Sequence, residues 1–127
     1  MENIIISVII PTFNGERTIL RAIDSVLNQK GYRDHFDLEL MVYDDCSIDK
    51  TVELIKSRMV ICGGQLHVSN KNSGGPNAGR NWGIKNALGN YFAFLDQDDE
   101  WLLNKLELQL KEIKNGAELV YSSFVRK

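Results

Sequence analysis

Asp96 and Asp98 stand two residues apart where an apolar run, Tyr91-Phe92-Ala93-Phe94-Leu95, gives way to Gln97, Asp99, Glu100 and Trp101. The run reads as a buried parallel strand, and in open α/β sheets ligands bind beyond the carboxyl ends of such strands. Carboxylates spaced D-x-D at that edge suit a divalent cation carrying a diphosphate. Hard cations take oxygen ligands, and Mg²⁺-type sites use one or two carboxylates and draw the rest from phosphates and water. A bare D-x-D arises by chance. A second acidic pair, Asp44-Asp45, ends another apolar run, Leu38 to Tyr43, and that repetition strengthens the signal.

The elements that must position these acids alternate along the chain. Ile4 to Ile10 is β-branched and nearly continuous in hydrophobicity, the pattern of a strand covered on both faces. Pro11 is expected to end it, since proline cannot donate to a central ladder. After the turn Thr12-Phe13-Asn14-Gly15, a helix carries Ile19, Ile23, Val26 and Leu27 on one face. A polar loop over 31–37 leads to the second strand, and Asp49 is the expected N-cap of a helix with Val52, Ile55 and Met59 at helical spacing. Gly63-Gly64 is expected to break the chain before a short strand over 65–69. A third helix is expected to include Trp82, Ile84 and Leu88, with Gly89-Asn90 as its C-cap signal. A fourth, starting near Glu100, places Leu102, Leu106, Leu110 and Ile113 together, and Ala117 to Ser122 reads as a fifth strand. Strands alternating with helices imply a parallel sheet wrapped by helices.

In such a sheet the strand ends share one edge, so Asp44, Asp45, Asp96, Asp98 and Asp99 are expected to converge. A cation or a donor-rich ligand would relieve the crowding. Capping competes as an explanation: Asp99 and Asp98 could cap the helix expected near Glu100. Capping accounts well for Asp49, evenly for Asp99 and poorly for Asp96 and Asp98 as a pair.

The chain has 127 residues, 43% hydrophobic and 25% charged, with a net charge of −2. That is one ordinary globular domain with enough length for a core. No basic field exists to hold nucleic acid. Cys46 and Cys62 form neither a disulfide framework nor a zinc pattern, and both read as reduced thiols. No apolar run is long enough to span a membrane and no signal peptide is evident, so a cytoplasmic location is expected.

Asn70 to Gly79 is rich in glycine and asparagine. It lacks the Gly-Lys-Ser/Thr ending of a P-loop and does not place G-x-G-x-x-G after the first strand. Its glycines allow close backbone approach to a ligand or another segment, and Arg80 could meet an anion at the helix start. His35 and His67 read as ordinary polar residues, and Trp82 and Trp101 as residues in or near the core. No Ser-His-Asp or Cys-His arrangement can be argued.

Four segments together resemble the successive motifs of family 2 glycosyltransferases: Ser7 to Asn14, Asp44 to Asp49, Asn72 to Gly83, and Phe94 to Trp101. The order is right and the stretch covers nearly the whole chain. The resemblance implies a GT-A fold, a Rossmann-like α/β sheet of mostly parallel strands flanked by helices. It implies a single nucleotide-sugar-binding domain over residues 1–127, truncated at its C-terminal end. The activity implied is metal-dependent, inverting transfer of a sugar, UDP-linked by preference, to a glycan or lipid-linked acceptor. By family pattern Phe13 lies against the base, with Thr12 and Asn14 lining its pocket and Asp45 accepting a hydrogen bond from it. Arg80 sits near the nucleotide, Asp96 faces the ribose, and Asp98 contacts Mn²⁺ or Mg²⁺ on the diphosphate. Asp99 supports, and Glu16 is a weaker pocket candidate.

Cys46 and Ile48 stand where the family more usually has Gly and Thr, with little functional effect expected. No catalytic residue is expected in this chain, because the family's acceptor site and general base normally lie further on. The alternative is therefore a non-catalytic nucleotide-sugar-binding module. Self-association through apolar area around Val120, Tyr121 and Phe124 is also expected, as is peripheral attachment at the inner membrane face. A receiver-like signalling domain fits poorly, because its acids would follow the first strand.

Overall fold

The β-branched run at the start of the chain becomes the centre of the sheet. In the computed structural model, which describes residues 3–114 and the backbone of 125–126, β1 spans Ile5–Thr12. It is followed by α1 (Ile19–Leu27), β2 (Asp37–Asp44), α2 (Thr51–Met59), β3 (Gly63–Val68), α3 (Asn77–Asn86) and β4 (Tyr91–Phe94). The four strands form one sheet in the order β3-β2-β1-β4, with every neighbouring pair parallel. The chain builds outward from β1 to β3 and then returns to the other side of β1. The gap between the ends of β1 and β4 is thus a topological switch point, where α/β sheets form their binding crevice.

Side chains alternate across a strand, so β1 serves two faces. Ile6, Val8 and Ile10 join Leu38, Leu40 and Val42 of β2 in a core closed by Ile19, Ala22, Ile23 and Val26 of α1 and by Ile55 of α2. The opposite face carries α3 at very close range. A Cβ on Gly83 would lie 2.5 Å from Ile9 Cγ2, and one on Gly79 would lie 2.9 Å from Pro11 Cβ. These glycines at helical i, i+4 spacing let α3 lie against the sheet, so the approach they permit here is to another segment.

Several boundaries differ from expectation for identifiable reasons. Pro11 does not end β1; it stays in register opposite Tyr43. Ile9 accepts the Leu95 N–H on the β4 side, and Pro11 faces that same side two residues later, beyond the end of the ladder at Phe94. Its missing donor therefore costs no ladder bond. Gly63 and Gly64 do not break the chain but open β3 against Leu40 of β2. Leu88 lies beyond α3 and is 79% exposed. Gly89 and Asn90 belong to the edge of the sheet: the Gly89 N–H donates to Ser7 Oγ at 2.9 Å, and Asn90 exchanges hydrogen bonds with Ile5.

The fourth helix, α4, spans Lys105–Lys114 and does not start near Glu100. Asp99–Glu100 is instead a short strand, β5, paired antiparallel with β6 (Val125–Arg126). The end of α1 holds the intervening residues out of a helix. Ser25 Oγ accepts the Trp101 N–H at 3.0 Å, and Gln29 Nε2 donates to Leu102 O at 2.6 Å. Gln29 Oε1 then accepts the Leu106 N–H at 2.9 Å, satisfying one of the orphan donors of α4. Trp101, Leu106 and Leu110 complete the core. The expected fifth strand over 117–122, with Val120, Tyr121 and Phe124, lies outside the described residues.

Candidate functional site

At the switch point the ends of β1, β2 and β4 and the start of α3 enclose a cavity of about 400 Å³. Thr12, Phe13, Asp45, Arg80 and Asp96 all line it. Asn14 and Glu16 do not. Asn14 brackets the turn from outside: it has φ 47°, and its Oδ1 accepts the Ile48 N–H at 2.9 Å. Glu16 is exposed and accepts the Lys50 N–H at 3.2 Å, while Asp49 Oδ2 accepts the Glu16 N–H at 3.3 Å. Both residues tie the turn after β1 to the start of α2.

The acids do not behave as one cluster. Among the described residues, no three His, Cys, Asp or Glu side chains come together to hold a metal ion. Asp44 is fully buried and structural: its Oδ1 accepts the Thr12 hydroxyl at 2.9 Å and the Ser47 hydroxyl at 2.6 Å, and its Oδ2 accepts the Ser47 N–H. Asp45 faces the cavity while accepting the Ser73 N–H at 2.9 Å and the Ser73 hydroxyl at 2.8 Å. Ser73 thereby fixes which way the carboxylate points, and Asn72 Nδ2 donates to the Asp45 carbonyl. Asp96 accepts from Arg80. Asp99 is buried in β5 and caps no helix, because α4 starts later. Donors built into the fold thus meet the carboxylates of Asp44, Asp45 and Asp96, three of the five acids expected to converge.

Asp98 is exposed, two residues beyond Asp96 in the cavity wall. Two carboxylates flanking an open turn fit a divalent cation that completes its shell with diphosphate oxygens and water. They do not fit a cation held by protein alone.

The N-cap position of α2 falls on Lys50, one residue after the expected Asp49, but the Asp49 carboxylate still meets the first residue of the helix. Its Oδ1 accepts the Thr51 N–H at 2.9 Å and also the Thr51 hydroxyl. Burial pushes its carboxyl pKa up, but the bonds from Thr51 and Glu16 outweigh this and hold it below the ordinary value.

Sequence reasoning missed part of the wall. Tyr43 lines the cavity, with its ring stacked on His67 at 5.0 Å and tilted against Trp82 at 5.9 Å. His67 is therefore part of an aromatic cluster behind the wall. The alternation on β2, which sends Leu40 and Val42 into the core, already placed Tyr43 on the other face. Gln97 was also missed. Its amide accepts the Phe13 N–H at 2.7 Å and donates to the Phe13 carbonyl at 2.9 Å.

The glycosyl transferase family 2 profile matches residues 7–127. The chain belongs to this family. It is 36% identical to an Escherichia coli protein, UDP-Glc:alpha-D-GlcNAc-diphosphoundecaprenol beta-1,3-glucosyltransferase WfgD, over 98% of this chain and 47% of that protein. It is 34% identical to the GalNAc(5)-diNAcBac-PP-undecaprenol beta-1,3-glucosyltransferase of Campylobacter jejuni, over 93% of this chain and 37% of that one. Among solved structures, S. aureus TarS 1-349 in complex with UDP-GlcNAc matches with a TM-score of 0.77 at 28% identity, over 92% of this chain and 37% of that one. The parallel sheet of this family 2 chain is the GT-A sheet of TarS. The chain spans less than half the length of each of these relatives. No helix among its described residues is long and apolar enough to cross a membrane.

Proposed function

We propose that this chain is the donor-binding part of a glycosyltransferase that moves a sugar from a UDP-linked donor to a lipid-linked glycan. The cavity at the switch point carries the reading, because it gathers Thr12, Phe13, Asp45, Arg80 and Asp96 from four separate segments. The half-exposed Phe13 ring offers a face to the uracil base, and Asp45, oriented by Ser73, accepts its imino N–H. Asp96 receives the ribose hydroxyls, with Arg80 beside it for the diphosphate.

Asp98 is the residue that would hold Mn²⁺ or Mg²⁺ at the diphosphate. A cation there would supply positive charge to offset the negative charge developing on the leaving nucleoside diphosphate. The displacement inverts the anomeric centre, and the acceptor hydroxyl loses its proton to a general base. That base is assigned to the part of the relatives' length that this chain does not span. The E. coli and C. jejuni relatives are named for undecaprenol-linked acceptors, which supports a lipid-linked acceptor and peripheral attachment to the membrane face where it resides.

The test is UDP affinity in Mn²⁺ for the wild type and Asp98→Ala. A loss of about tenfold or more is expected, since a charge-assisted contact to the cation disappears. Unchanged affinity would remove Asp98 from the metal site.

A further inference from the structure

We infer that Gln97, the residue between the two carboxylates, is a positioning residue. It locks the Phe13 turn to the acidic turn, so that the base side and the diphosphate side of the site form one piece. The inference rests on the donor-site reading above and adds a residue to it.

Phe13 follows the last register pair of β1 with β2, Thr12 and Asp44, so the ladder no longer holds it. Both main-chain groups of Phe13 are instead taken by the Gln97 side chain, at 2.7 Å for the N–H and 2.9 Å for the carbonyl. A primary amide with one donor end and one acceptor end extends the ladder by one rung here. The Phe13 ring is 44% exposed, so little core packing sets its direction. Its direction follows from a backbone that Gln97 fixes. The neighbouring residues are held from the other side, with the Asn14 N–H on Ser47 Oγ at 2.8 Å and the Gly15 N–H on Thr51 Oγ1 at 2.8 Å.

Gly15 shows that the clamp is built into the turn. A Cβ there would collide with Gln97 Oε1 and sit 2.8 Å from Gln97 Cδ. Its φ lies outside the left-handed region, so a Cβ there would act through space, by displacing the end of the Gln97 side chain. The side chain at position 97 must also be both long and an amide. Asparagine is one methylene short, glutamate keeps the acceptor but loses the donor, and alanine has neither.

The experiment is a double-mutant cycle in UDP affinity, by calorimetry in saturating Mn²⁺, on wild type, Gln97→Ala, Phe13→Ala and the double variant. Each single change is expected to weaken binding about tenfold, and the double change little more than Phe13→Ala alone, because Gln97 acts through Phe13. Gly15→Ala, which pushes the amide aside, should weaken binding in the same direction. Additive losses, or wild-type affinity in Gln97→Ala, would overturn the inference. Amide hydrogen exchange at Phe13 supplies a readout that needs no ligand, with protection expected in the wild type and lost in Gln97→Ala. If the wild type binds no UDP, the donor-site reading fails by itself. Protection at Phe13 that survives Gln97→Ala would then still overturn the clamp.

Discussion

Arg80 Nη2 lies 3.1 Å from Asp96 Oδ1, which joins the first turn of α3 to the end of β4 across the mouth of the cavity. Both side chains are more than a third exposed, so the pair contributes little to folding. Its value lies in placing a cation and a carboxylate side by side where a diphosphate and a ribose meet. Arg80→Ala should therefore cost less than about 1 kcal/mol in urea unfolding. The same change should weaken UDP binding about tenfold, as expected for loss of a charge-assisted contact. A variant that loses stability but keeps its affinity would mark the pair as structural.

Gly83 meets Ile9 with no room for a side chain. Alanine would gain about 1 kcal/mol in helix propensity, but overpacking against the sheet costs about 1–3 kcal/mol. Gly83→Ala should lower the thermal midpoint, and the cavity should suffer too, since α3 carries Arg80. A raised midpoint would show that α3 stands off from β1.

Cys46 has φ 70°, in the left-handed region that costs an L-residue about 1–2 kcal/mol. The position where this chain departs from its family's usual glycine is thus one where the backbone favours glycine. Cys46→Gly should raise stability by about 1 kcal/mol, after the greater unfolded-chain entropy of glycine offsets part of the gain. Chemical denaturation of both forms under reducing conditions checks this, and a destabilised glycine variant would contradict it.

Asp49 gives the fold a pH dependence of known sign. Its folded pKa is lowered, so the stability it contributes is present above the unfolded value, near about pH 4, and is lost as pH falls through the folded value. Asp49→Ala should cost about 1 kcal/mol at neutral pH, as for a lost helix cap. The gap from wild type should narrow in acid. Urea unfolding of both proteins across that range decides the matter, and a constant gap would mean that the Asp49 charge plays no part.

The alternation of apolar runs with amphipathic helices made the parallel sheet legible, because β1 is buried on both faces and α1 on one. The cavity was legible at Asp45, Arg80 and Asp96, whose types and positions carried a meaning, and at Phe13 through the resemblance to the family's motifs. What sequence could not show was set by contacts distant along the chain. Ser25 on α1 and Gln29 just beyond it hold residues 101–102 away from a helix that their periodicity favours. Asp44 and Asp45 are adjacent, yet Thr12 and Ser47 make one structural while Ser73 turns the other to the cavity. Gln97 carries no signal in itself, and only the turn it reaches, 84 residues earlier, gives it a role.

The most direct test of the account is calorimetric titration of UDP into the purified chain, with and without Mn²⁺, repeated with GDP and dTDP. The account predicts UDP binding that tightens about tenfold or more with Mn²⁺, and weaker binding of the other two nucleotides. UDP binding that ignores the cation, or no binding by any of the three, would contradict the claim that the switch-point cavity is a donor site.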